Sequence, residues 1–173
     1  NMGGKCEAGQ TALSGIGGLI LDAAWGRPTM ADDWRTAWGE SVGIAPDPAT
    51  TEEAVVKVDA ASGLNWRGSF GVHSWIAVKP TRAPAFDVYE VIGWRGYSGH
   101  SVLTIHNGIP DRYWFGRRPE LLAELRDEGV DDIIRRIDVA ARRFPYQHGY
   151  KVYPGPNSNT FTAWVARHVP ELR

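Results

Sequence analysis

A hydroxyl, an imidazole and a carboxylate are the parts of a nucleophilic triad, and the sequence offers one of each in a setting that suits the role: Ser158, His73 and Glu90. Ser158 lies in Tyr153-Pro154-Gly155-Pro156-Asn157-Ser158-Asn159-Thr160-Phe161, where prolines and a glycine fix the entry into a helix. A nucleophile at a helix N terminus gains from the positive end of the dipole, and the backbone N–H groups there can form an oxyanion hole. A serine also needs a base, because its hydroxyl is barely acidic at neutral pH. His73 is the candidate. The spacing alone favours a plainer role, in which Asn157 or Ser158 caps the helix by accepting a hydrogen bond from an orphan backbone N–H.

His73 sits in a run that alternates with a period of two. Phe70, Val72, Ser74, Ile76 and Val78 fall on one face, and Gly71, His73, Trp75 and Ala77 on the other. In the next apolar run Val88, Glu90, Ile92 and Trp94 share a face. A hairpin that pairs His73 with Ile92 puts Glu90 diagonal to the imidazole, where a carboxylate fixes the tautomer and stabilises the imidazolium. A register slip of one residue would turn Glu90 out to solvent.

Further candidates surround these three. Trp75 shares the His73 face. The loop Asn107 to Arg118 is aromatic and basic; its Arg112 and Trp114 could hold an anionic or flat ligand, although a structural ion-pair loop fits the same residues. Tyr150 precedes the Ser158 turn and could reach the same cleft or pack in the core. Asn157 and Asn159 flank Ser158, where Asn positions a turn or polarises a carbonyl. His100, His106, His148 and His168 show no metal-ligand spacing and read as surface or cap residues, so no metal and no cofactor is expected.

The elements that must position these groups follow from composition and pattern. With 173 residues, 43% of them hydrophobic, the chain can bury one sizeable core. Lys and Arg number 19 against 20 Asp and Glu, which gives no basic field to hold a phosphate backbone and argues against a nucleic-acid partner. Only Cys6 is present, so intramolecular disulfides and Cys-rich zinc sites are excluded. Residues 1–30 read as an N-terminal flank or packed helix whose apolar stretch, Leu13 to Trp25, is too short to span a bilayer. Asn1 before Met2 reads as an added residue. Residues 31–173 read as a single α+β domain.

Within it, Asp32 and Asp33 ahead of Trp34, Ala37, Trp38 and Ser41 predict a short helix. Strands are predicted at Ala54 to Val58, Ser69 to Lys79, Phe86 to Trp94 and Val102 to His106. Helices are predicted at Pro119 to Arg126, at Asp131 to Arg143, and from near Ser158 to just before Pro170. Phe144 to Tyr153 reads as irregular, with room for one short strand. Strands gathered before helices indicate an antiparallel sheet packed with helices.

Four motifs carry a resemblance: Gly71 to Ala77, Tyr89 to Trp94, Pro110 to Gly116 and Pro154 to Phe161. Together with Gly43 to Pro48 they resemble a bacterial envelope-protein family of unassigned activity, over roughly Asp33 to Leu172. That resemblance implies a place in the bacterial cell envelope, periplasm or inner membrane, with membrane proximity through an anchor ahead of the domain. More distantly, a His-bearing strand, a polar residue on the next strand and a later Asn-Ser-x-x-Phe helix start look like circularly permuted papain-like proteins of the NlpC type. In those relatives a cysteine is the nucleophile, and Ser158 takes its place. The resemblance implies a hydrolase or acyltransferase acting on an amide or ester bond of a small-molecule, peptide or lipid-like substrate. Ser158 would be the nucleophile, His73 the base and Glu90 the orienting group. The rival reading is a non-catalytic cell-envelope ligand-binding domain derived from such an enzyme, using Trp75, Trp94, Trp114 and the arginines.

Overall fold

Four runs that carry β-branched residues, and a fifth of Leu, Ala and Glu, form one antiparallel sheet in a computed structural model that describes residues 39–64 and 70–173. The strands are β1 (Val55–Leu64), β2 (Phe70–Lys79), β3 (Asp87–Val91), β4 (Leu103–Asn107) and β5 (Glu120–Arg126), in the order β4-β3-β2-β1-β5. Two helices follow, α1 (Val130–Arg142) and α2 (Ser158–His168), which makes the fold α+β. The register of β2 on β3 runs Trp75 opposite Glu90 and Ala77 opposite Val88, the register that the pairing of His73 with Ile92 requires. The expected N-terminal flank, and Trp34, Ala37 and Trp38 of the expected first helix, lie outside the described residues. Ser41 is not helical; it forms an isolated bridge with Arg112.

One sequence expectation is overturned. Glu120–Arg126, read as a helix from its Leu, Ala and Glu content, is β5 and pairs antiparallel with β1 through a register shift between Val58 and Asp59. Helix propensity is a weak prior, and the open edge of β1 offers a ladder of hydrogen bonds that seven isolated residues cannot replace by coiling. The third strand also ends early: a 3-10 turn, Gly93–Ser98, takes Trp94 out of the sheet. Phe144 to Tyr153 holds no strand.

The two faces of the sheet are covered differently. Val56, Val58, Ile76, Val78, Tyr89 and Val91 pack under α1 and α2 through Ile134, Ile137, Phe161 and Val165. Phe161 and Val165 are fully buried, each worth about 1.5–3 kcal/mol of transfer free energy. The opposite face carries a second apolar cluster, Val55, Ala61, Trp75, Ala77, Phe86, Val88, Ile92 and Trp114. Alternation also puts the buried Lys57, Asp59, His73, Lys79 and Glu90 there.

Candidate functional site

The loop after β4 builds the site on this second face. Trp75 Nε1 donates to the Pro110 carbonyl at 2.7 Å. Asp111, almost fully buried, accepts from Ser41 Oγ at 2.7 Å and from the N–H groups of Ile44 and Ala45 at 2.7 and 3.0 Å. Burial opposes ionisation of Asp111, but these bonds outweigh it and hold the carboxyl below its ordinary value. With both neighbours pinned, Arg112 and Trp114 are driven over the sheet. Trp114 stacks on the His73 ring with centroids 3.7 Å apart, and the Arg112 guanidinium lies 5.3 Å from the Trp75 ring and 5.5 Å from that of Trp114.

Glu90 is the hub. Its Oε2 lies 3.0 Å from His73 Nε2, and Arg112 Nη2 donates to Oε1 at 2.8 Å and to Oε2 at 2.6 Å. His106 Nε2 stands 3.7 Å from Oε1. Burial works to raise the Glu90 pKa, yet the His73 hydrogen bond and the Arg112 charge outweigh it and keep the carboxyl below its ordinary value. Burial lowers the His73 pKa, and the bond to Glu90 only partly offsets this. The resting state is therefore a neutral imidazole on a carboxylate whose charge Arg112 balances. Because an ionised carboxylate only accepts, Nε2 carries the proton and Nδ1 holds the lone pair.

Ser158 belongs to the other face. Asn157 is the N-cap of α2: its Oδ1 accepts from Thr160 N at 3.1 Å, Thr160 Oγ1 accepts from Asn157 N, and its Nδ2 donates to the Val152 carbonyl. The first turn of α2 is then clamped to β2, since Ser74 Oγ donates to Asn159 Oδ1 at 2.8 Å and Asn159 Nδ2 donates to the Val72 carbonyl at 2.9 Å. Ser74 and His73 are consecutive, so their side chains leave the strand in opposite directions. Ser158 is buried, on the stripe of α2 that holds Phe161 and Val165. No hydrogen bond joins Ser158 to His73 among the described residues.

Of the expected site residues, the structure brings His73, Glu90, Arg112 and Trp114 together. It does not bring Ser158 to them. Asn157 and Asn159 hold their amides in the cap and the clamp, and Trp75 is fully buried beneath the site. Tyr150 packs its ring against Gly93, where even a Cβ would come within 2.5 Å of it.

A family model described as "Protein of unknown function (DUF3750)" matches residues 53–173, the stretch that holds every element from β1 onward. The chain belongs to this DUF3750 family. No curated protein and no solved structure matches it.

Three features of this DUF3750 domain escaped the sequence reading. His106 shares the Glu90 face because it pairs with Val88 on β4, a consequence of the register. Ser74 and Thr162 form the polar seam under α2, 2.9 Å apart. Lys57 and Asp59, both fully buried, stand 3.7 Å apart without a hydrogen bond, and Glu124 lies 3.8 Å from Lys57. Burial pushes the Asp59 carboxyl up to about 6 against the pull of Lys57. The signal was two opposite charges two residues apart in an apolar run. Among the described residues no group of His, Cys, Asp and Glu gathers to hold a metal.

Proposed function

We propose that this domain binds a cell-envelope ligand without transforming it, and that its recognition surface is the edge where the His73–Glu90–Arg112 cluster meets the exposed aromatic loops. The observation that carries this reading is the placing of the two halves of the expected dyad. His73 spends Nε2 on Glu90 beneath Trp114, while Ser158 is buried in the first turn of α2, which packs on the other face of the sheet. A serine separated from its base is no better a nucleophile than water-exposed serine.

What supports binding is the cost of the cluster. Burying His73, Glu90 and Arg112 together is expensive, and Arg112 Nη1 is buried without a hydrogen-bond partner. From this buried base the aromatic series continues outward, Trp114 to Trp94 at 5.9 Å and to Phe115 at 5.1 Å, and the last two are about half exposed. Such a graded surface, charged below and aromatic above, suits a ligand with an anionic group and an apolar or ring-bearing body.

The test is a fluorophosphonate probe on the whole domain, with mapping of any modified residue. Binding without catalysis predicts no labelling of Ser158 above that of the denatured chain. Stoichiometric labelling at Ser158, lost in His73→Ala, would restore the hydrolase.

A further inference from the structure

The two outer edges of the sheet are built differently. Among the described residues no further strand pairs with the far side of β4 or of β5. An open edge is a template for another chain, and proteins blunt it with charges, prolines and bulges. Strand β5 has such devices: Glu120, Glu124 and Arg126, and the register shift at Val58 and Asp59. Strand β4, Leu103-Thr104-Ile105-His106-Asn107, has no proline and no Asp, Glu, Lys or Arg, and its register on β3 is unbroken.

The direction of the backbone groups of β4 follows from the bonds at its two ends. Ile92 N donates to the Val102 carbonyl at 2.7 Å, and Gly108 N donates to the Phe86 carbonyl at 3.1 Å. In an antiparallel pair, successive residues alternate between facing the partner strand and facing away from it. Thr104 and His106 therefore bond to β3, and Leu103, Ile105 and Asn107 turn N–H and C=O outward. One end of the edge is stopped, because Val102 N donates to the Gln147 carbonyl at 2.7 Å. On the side of the helices a cavity of about 400 Å³ opens along the strand, lined by Leu103, Ile105, Arg142 and Gln147.

We propose that two copies of this chain join edge to edge through β4, antiparallel about a two-fold axis at Ile105. That register is self-complementary: Ile105 exchanges hydrogen bonds with the partner's Ile105, and Leu103 with the partner's Asn107. Thr104 faces the partner's His106, so no like charges are opposed. Val102, where Gln147 closes the edge, meets the partner's Gly108, which brings no side chain. On the helix side the partner's Ile105 lies beside Ile105 at the mouth of the cavity. A contact of this length is small, so the dimer is weak and depends on concentration.

Sedimentation velocity on the whole chain, over a range of concentrations, should show a monomer passing into a dimer. Ile105→Pro removes the N–H on the axis, a change tolerated where that group faces solvent, and should weaken association about tenfold or more. Leu122→Lys, on the β5 edge, should leave association unchanged. Two cysteine variants test the register itself. In a Cys6→Ser background, Thr104→Cys and His106→Cys should form a disulfide-linked dimer when mixed, since facing residues of that kind stand about 4.5 Å apart at Cα. Neither should do so alone. Should the proline variant unfold, the cysteine pair decides. A chain that stays monomeric at every concentration, a dimer dispersed by Leu122→Lys, or cross-linking by either cysteine variant alone overturns the β4 dimer. So does a monomer whose β4 amides are protected by a soluble muropeptide, which would give the edge to a peptide ligand.

Discussion

The two faces of the central strand β2 are built for different purposes. On one, Ile76 and Val78 meet Phe161, Val165 and Ile137 in a continuous apolar layer, interrupted only by the Ser74 seam that clamps α2. On the other, Trp75 and Ala77 share the surface with Lys57, Asp59, His73, Lys79 and Glu90, all buried. A sheet needs no buried charges to be stable, and replacing such pairs by apolar residues is often neutral or favourable. One face therefore holds the fold together, and the other spends stability on something else. The lesson is that the site is to be sought where burial is polar, not where a helix starts.

Removing a side chain from the apolar face should have the largest effect. Phe161→Ala should cost about 4 kcal/mol in chemical denaturation, because Phe144, just past the end of α1 and 5.3 Å away, and the sheet both lose a partner. A loss under about 1 kcal/mol would undo the assignment of that face as the main core. On the polar face, Lys57→Met at pH 8 should cost about 3 kcal/mol by leaving Asp59 buried and unpaired, and adding Asp59→Leu should recover most of it. If the double variant is worse than the single one, the pair is a stabilising element and the contrast between the faces fails.

The pH dependence sharpens the same contrast. Asp59 has its carboxyl raised from 3.8 to about 6 in the folded state, so between these values the native chain binds the extra proton. Its contribution to stability therefore grows as pH falls from about 6 to about 4. His73 acts in the opposite sense: burial lowers its folded-state pKa below 6.5, and stability is lost as pH falls beneath that value. Relative to wild type, Asp59→Asn should lose stability more steeply on acidification over this window, measured by urea unfolding at each pH. The smallest effects should come from the start of α2. Asn157→Ala removes a capping box and should cost about 1 kcal/mol. Ser158→Ala, which leaves the cap intact, should cost less than that.

Much of the sheet was legible because β2 and β3 read as neighbouring strands, and the pairing of His73 with Ile92, taken as a condition, has the register that the two strands adopt. What could not be read was which face of β2 the last helix covers. Both faces of that strand are apolar, Ile76 and Val78 on one, Trp75 and Ala77 on the other, so the pattern marks a strand buried on both sides and leaves the side of α2 open. The proximity of Ser158 to His73 hung on that one undetermined choice. Strand β5 was hidden for another reason: Leu121, Leu122, Ala123 and Glu124 are good helix formers, and only the distant edge of β1 makes a strand of them. Arg112 was legible as a candidate, but its bond to Glu90 depends on Asp111 and Trp75 anchoring the loop.

Strands β1 to β4 follow one another as a meander, each paired with its neighbour in sequence, whereas β5 returns from the far side of the chain to the outer edge of β1. Pairing it closes a loop that spans β2, β3 and β4, so its entropic cost falls due only after the meander exists. Leu121 and Leu122 stay exposed on that edge, giving β5 little burial to anchor it. Its amide protons should accordingly exchange with solvent earlier than those of β2, through an opening that peels one strand away and leaves the other four paired.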